Sequence, residues 1–214
     1  MIVKKMPILQ GFPDFETVKK LTKKHAFSEH FVPVFYDIET TGLSRNSTFL
    51  YLVGAVAYEE KNWQMYQWMI EDEKEEPELL KIFSEFLQNF SCTIQYNGDS
   101  FDQPYLEARY QIHGLPSPFE SLPSLDLYRQ LKPVKGLLKL SKMNQPSVEA
   151  FLGIDQRDYC DGAACIRHYK QFASGKKKRP LILYLATIRR IFLDLEKSSQ
   201  CFPISVFSKK VMSL

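Results

Sequence analysis

Asp37 and Glu39 stand two positions apart in FYDIETTG (35–42), directly after the apolar residues Phe31 to Tyr36. On an extended strand, residues two apart share a face and lie about 7 Å apart along it, so the two carboxylates project together. Thr40-Thr41-Gly42 ends the strand and leaves both acids at its carboxyl end, where open α/β sheets build ligand sites. A polar strand end facing water explains these two residues equally well. A third acid shifts the balance. In YNGDSFDQPYLEARY (96–110) a strand ends at Tyr96, Asn97-Gly98 forms a tight loop, and Asp102 opens a helix with Pro104 in its first turn. Asp102 is expected either as a helix N-cap worth about 1 kcal/mol or as a carboxylate meeting Asp37 and Glu39 from a neighbouring strand.

Three converging carboxylates repel one another unless divalent cations sit among them. All-oxygen ligation suits Mg²⁺ or Mn²⁺, whereas zinc favours His or Cys. Two such ions about 4 Å apart activate water and stabilise the leaving oxygen of a phosphodiester. Phosphodiester hydrolysis is the chemistry this pattern serves.

The elements that must position these acids follow from periodicity. Phe31–Ile38, Thr48–Tyr58 and Trp63–Met69 read as strands, the last two joined by a hairpin-length gap and paired antiparallel. Pro77 begins a helix in which Leu79, Leu80, Phe83, Phe86, Leu87 and Phe90 recur at helical spacing, a core-packing stripe. Thr93–Tyr96 is a short strand, Asp102 to about Ile112 a helix, and Ser124–Leu127 a further strand. Helical pieces broken at Pro146 and Gly153 are expected over 141–169. The order suits a mixed sheet of five strands flanked by helices. Three segments are expected: an N-terminal extension (1–30) with a short helix near Phe15–Lys24, a domain over 31–195, and a poorly patterned tail over 196–214.

Composition bounds the partners. A net charge of +3 gives no overall basic field, although Lys176-Lys177-Lys178-Arg179 is a basic run that could meet phosphates. The acidic run Glu71–Glu76 reads as a solvated loop or helix end. Cys92, Cys160, Cys165 and Cys201 show neither zinc nor disulfide-framework spacing, and His25, His30, His113 and His168 stand isolated. No apolar stretch is long enough to span a bilayer and the first residues lack a signal-peptide core, so a cytoplasmic protein is expected. Trp63, Tyr66 and Trp68 alternate along their strand and read as packing rather than a base-stacking platform.

DIETTG (37–42) and YNGDSFDQPYLEAR (96–109) resemble the first two motifs of the 3′→5′ exonucleases with Asp-Glu-Asp-Asp sites on an RNase H-like fold. SLDLYRQLK (124–132) and the stretch 139–172 resemble the bacterial YprB-type branch, and the resemblance spans about 31–184. It implies an RNase H-like fold, Mg²⁺ or Mn²⁺ on Asp37, Glu39 and Asp102 in a two-metal arrangement, and hydrolysis at the end of a single-stranded DNA or RNA. Thr41, Gly42 and Leu43 would lie beside the terminal nucleotide, with Asn97 and Phe101 near the strand path. Asp126 is a further candidate, read first as a strand-end or cap acid. The chain departs from the family at the fourth acid, expected four residues after a Tyr, or five after a His, on a late helix. There Tyr184 is followed by Ile188, which cannot bind a cation. Asp161 and Asp194 are the acids that could stand in, but on a continuous helix Asp194 would fall about 9 Å further along the axis and on another face. The resemblance therefore leaves open an impaired exonuclease, an inactive nucleic-acid-binding domain or a subunit of a nuclease or helicase assembly, and a displaced reading frame over the C-terminal portion. Sequencing the gene across codons 180–214 and finding no open, family-like alternative frame removes the last explanation.

Overall fold

The computed structural model describes residues 1–8, 14–22, 31–136, 139–144, 147–148 and 162–175. The positions around Tyr184 and Ile188, the basic run 176–179, the breaks at Pro146 and Gly153, and Asp161, Asp194, His25 and His30 all lie outside them.

Pro33–Thr40 forms β2, nearly all of it buried, with Pro33 at the first position where a strand tolerates proline. Leu50–Glu59 (β3) and Asn62–Met69 (β4) follow as the expected hairpin. Its turn is two residues, Glu60 and Lys61, both at positive φ (49° and 66°), the backbone that matches the right-handed twist of paired strands. Cys92–Gln95 (β5) and Ser124–Asp126 (β6) then add parallel to β2. A parallel return needs a crossover. The helix Glu76–Leu87 (α2) lies on the β4-to-β5 connection and Asp102–Ile112 (α3) on the β5-to-β6 connection.

Among the described residues the sheet has six strands, not the five expected; with Ile2–Pro7 as β1 their order is β1-β4-β3-β2-β5-β6. The additional strand is Ile2–Pro7 (β1), which pairs antiparallel with β4 in a register from Ile2↔Met69 to Pro7↔Gln64. Its sequence, IVKKMP, has no inward/outward hydrophobic alternation because it is an edge strand with Val3, Lys5 and Pro7 exposed, and Lys and Pro are residues that blunt such edges. The expected helix in the N-terminal segment is present as Phe15–Thr22 (α1), with Val18 buried in the core.

Among the described residues two apolar clusters form the core. One gathers Tyr36, Val53, Trp68, Leu79, Leu80, Phe83, Leu87, Leu106 and Tyr110, and includes the predicted stripe of α2. Phe83 packs its ring 5.6 Å from Tyr36 and 6.1 Å from Trp68. The other gathers Val18, Phe31, Phe35, Val56, Trp63, Ile94 and Leu125. Trp63 and Trp68 are thus both buried, in different clusters, and the aromatic alternation of β4 is packing. Among the described residues no helix is long and apolar enough to cross a membrane.

The acidic run is not a uniformly solvated loop. Asp72 caps the short 3₁₀ turn Glu73–Glu75, and Glu76 is fully buried at the start of α2. The Glu76 carboxylate accepts from Leu50 N (2.8 Å), Arg109 Nε (2.8 Å) and Arg109 Nη2, and pairs with His113 Nε2 (2.8 Å). This network pins α2, α3 and the start of β3 together. Breaking a buried ion pair from one side leaves an uncompensated charge and costs about 3–5 kcal/mol. Glu76→Ala is therefore expected to lose stability on that scale in urea denaturation, several times more than Glu78→Ala on the same helix; equal effects would mean the network contributes no more than a surface acid.

Candidate active site

β2 and β5 are adjacent and parallel, and the chain turns to opposite sides of the sheet from them, so the crevice beyond their carboxyl ends is the switch point of the topology. Asp37 and Glu39 occupy the end of β2, each with an edge open to solvent. Asp37 lies opposite Gly54 and Glu39 opposite Leu52 in the pairing with β3, and the register breaks between Glu39 and Thr40. Gly54, opposite Asp37, contributes no side chain of its own beside that carboxylate.

Asp102 reaches the same place from β5 through a tight connection. Asn97 adopts φ 61°, and a Cβ on Gly98 would fall 2.3 Å from the Gln95 side chain, so this turn needs a residue without one. The N-cap of α3 is Phe101, with no side-chain cap bond, and Asp102 is the first helical residue. Its carboxylate does not cap the helix. Asp102 Oδ1 accepts instead from Ile38 N (3.3 Å), between the two acids of β2.

The electrostatics follow from this crowding. Loss of water, then the Glu39 charge, drives the Asp37 carboxyl up to about 7. Loss of water, then the Asp102 charge, drives Glu39 up to about 7. Asp102, 8% exposed, is held well above the usual carboxylate range by burial and by the Asp37 charge. Three oxygen-donor groups under mutual repulsion fit a hard divalent cation, which would relieve each of these shifts. In the side-chain positions described, no three His, Cys, Asp or Glu residues yet close into an ion-binding set.

The other predicted residues lie on the segments that follow β2 and β5. Thr41 closes the neck of the β2–β3 loop, its amide donating to Phe49 O (3.0 Å) and its hydroxyl accepting from Phe49 N (3.1 Å). Gly42 O accepts from the hydroxyls of Thr40 (2.8 Å) and Thr48 (3.0 Å), and a Cβ on Gly42 would press 2.8 Å from Thr48 Cγ2. Leu43 is an apolar side chain 83% exposed. Phe101 is half-buried, packed 5.5 Å from the Tyr105 ring. Asp126 belongs to the support of the site: its carboxylate accepts from Asn97 N (2.8 Å), Asp99 N (3.2 Å) and Tyr128 N (2.9 Å). It holds the 97–101 turn and caps Leu127–Leu131 (α4), in keeping with the cap role expected first.

Sequence reasoning passed over Tyr51. Its hydroxyl donates to Glu39 Oε2 at 3.5 Å, and its ring stacks 4.1 Å from Tyr169 of Gly162–Ala173 (α5). Nothing in TFLYLVG marks that tyrosine from its apolar neighbours.

A family model described as RNase_H superfamily matches residues 34–187 and takes in both acid-bearing stretches. The chain belongs to the RNase H superfamily. This RNase H-superfamily chain is 48% identical over 46 residues to a DNA polymerase of Methanocaldococcus jannaschii, a segment that makes up 22% of this chain and 3% of that protein. Its fold is similar to the family B DNA polymerase of the hyperthermophilic archaeon Pyrobaculum calidifontis, with TM-score 0.60 and 16% identity over 82% of this chain and 25% of that one. A solved structure of E. coli exonuclease I in complex with a dT13 oligonucleotide matches at TM-score 0.49 and 13% identity, over 69% of this chain and 40% of that one. The chain thus spans a small part of the polymerases it matches. The RNase H-like α/β fold expected from the two motifs is the fold observed.

In the metal-free protein the raised carboxyl values favour the protonated folded form. That stabilisation is complete below the ordinary Glu value of 4.5 and is lost as pH rises through about 7. Thermal melting is expected to decline over this window, by less than full burial would give because Asp37 and Glu39 keep a solvent edge. Mn²⁺ at pH 8 should recover it. Asp102→Asn should flatten the pH profile, raise the metal-free Tm at pH 8 and remove the Mn²⁺ response; a wild-type Tm indifferent to Mn²⁺ speaks against a cation at these residues.

Proposed function

We propose that the domain is a metal-dependent 3′→5′ exonuclease acting on the end of a single-stranded DNA or RNA. The observation that supports this reading is the meeting of Asp37, Glu39 and Asp102 at the switch point of an RNase H-like sheet, where the charges acting on them are those of one another and of Asp126. Such a corner, holding divalent cations, would take the anionic oxygens of a phosphodiester as further ligands. The 46-residue segment shared with a DNA polymerase points to nucleic acid as the substrate class.

Asp37, Glu39 and Asp102 would hold Mg²⁺ or Mn²⁺. When bound, the ions would supply Lewis-acid stabilisation of charge on the phosphate and activation of water. The chain's own residues do the rest. Thr41 and Gly42 present a hydrogen-bonded, pre-formed loop to the last nucleotide, and the exposed Leu43 side chain offers an apolar surface to a base. Asn97 and Phe101 flank the incoming strand from the other side of the crevice. Tyr51 donates to Glu39 and steadies its carboxylate.

A second reading has its own support. With Ile188 where the fourth acid is expected, the domain would bind a nucleic-acid end with little cleavage, or would serve as a subunit of a larger assembly. Purified protein with Mn²⁺ or Mg²⁺ and a 5′-labelled oligonucleotide separates these. The exonuclease shortens it stepwise from the 3′ end. Asp37→Ala should reduce that rate about 10³-fold, since a metal ligand acts on several kcal/mol of the barrier. Retention of the oligonucleotide without shortening under any divalent ion would establish the binding reading instead. Cleavage unaffected by Asp37→Ala would assign the activity to a contaminant.

A further inference from the structure

The second acid-bearing stretch ends in Arg109, to which the proposed chemistry gives no role. Asp102, Tyr105, Arg109 and His113 fall at positions i, i+3, i+7 and i+11, a single stripe along the α3 direction. Each makes a contact outside the helix. Asp102 accepts from Ile38 N at the end of β2, Tyr105 Oη lies 2.8 Å from Thr48 Oγ1, and Arg109 Nη1 donates to Arg45 O (3.0 Å) while its other nitrogens hold Glu76.

Thr48 and Arg45 both belong to the loop between β2 and β3, the loop that carries Thr41, Gly42 and Leu43. The Thr48 hydroxyl has one proton to give. It reaches Ser44 O (2.6 Å) and Gly42 O (3.0 Å), so Tyr105 is its donor and the loop carbonyls its acceptors. The loop is therefore tied at Gly42, Ser44 and Arg45, and two of its ties lead to successive turns of the helix whose first residue is Asp102. Glu76 closes the frame, since it receives both Arg109 and Leu50 N where β3 begins. Gly42 seals against Thr48 with no room for a Cβ.

We infer that Tyr105 and Arg109 are positioning residues: one face of α3 sets the 41–49 loop at a fixed place relative to Asp102, so that a nucleic-acid end seated on the loop meets the carboxylates in register. The inference rests on the exonuclease reading for the identity of what the loop holds, while the brace stands on the geometry alone. It differs from a merely structural role in predicting that loop order and nucleic-acid binding fail while cation binding at Asp37, Glu39 and Asp102 persists.

Thr48→Val and Tyr105→Phe test it without stranding a buried charge. Arg109→Lys is the third variant, keeping a cation for Glu76 but unable to serve Glu76 and Arg45 O together as the guanidinium fork does. Three quantities are measured: the Kd of a fluorescent dT12 oligonucleotide in Ca²⁺, the Mn²⁺ concentration at half-maximal thermal stabilisation, and amide hydrogen exchange over residues 41–49. Each variant is expected to bind the oligonucleotide about tenfold more weakly, as loss of one net hydrogen bond implies. Exchange of the Thr41, Thr48 and Phe49 amides should accelerate, with the Mn²⁺ midpoint within about twofold of wild type. Unchanged oligonucleotide affinity in all three, or a Mn²⁺ midpoint that moves in parallel with it, overturns the inference. A wild-type chain that binds Mn²⁺ but no oligonucleotide sinks the functional reading instead, and unchanged loop exchange in the variants then sinks the brace as well.

Discussion

Three carboxyl groups share one crevice, and each stands in the field of at least one other. Loss of water and like charge act in the same direction on Asp37, Glu39 and Asp102, pushing every one of them toward the protonated form. A fold selected for stability alone would not bring them together. The corner is held because the sheet places the ends of β2 and β5 side by side and α3 begins there. The cost of assembling the acids must be offset by the packing around them, and a divalent cation bound there would relieve it.

That packing includes polar and charged side chains among the apolar ones. Glu76, Arg109, Gln95, Thr93 and Asp126 are all buried, and their side chains are hydrogen-bonded apart from Gln95 Oε1. Networks of this kind give little net stability compared with apolar replacements, because desolvation consumes most of the Coulomb gain. What they provide is geometric definition. The Glu76–Arg109 pair holds the carboxyl half of α3 against β3 and the 41–49 loop, while Asp126 gathers three backbone amides and so sets the turn that delivers Phe101 and Asp102. The two networks approach the crevice from opposite sides. Apolar contacts alone, being non-directional, would leave both loops freer to shift.

The remaining elements serve this arrangement at a distance. The β3–β4 hairpin and the edge strand β1 extend the sheet away from the crevice, and α2 covers the face beneath it with Leu79, Leu80, Phe83 and Leu87. Tyr51 links the site to α5 through its stack on Tyr169, so the last helix described packs against the residue that touches Glu39.

Much of this was legible in the sequence because it is written in local periodicity. The two-residue alternation around Asp37, the helical stripe after Pro77 and the Asn-Gly turn before Asp102 each determine their element through contacts a few residues apart, and the two motifs name the family. The acids of the site could be listed for the same reason. Other features depend on partners far along the chain. β1 is a strand because β4 offers it an edge, and an edge strand carries no alternation of its own to read. Glu76 looks like one member of a charged run until Arg109 and His113, more than thirty residues away, are folded against it. Asp102 satisfies every local rule for an N-cap, and tertiary contact with Ile38 turns its carboxylate elsewhere. Sequence by itself determined which residues can carry charge, turn or pack; only the fold decided which of those charges meet, since meeting is a property of distance in space and not along the chain.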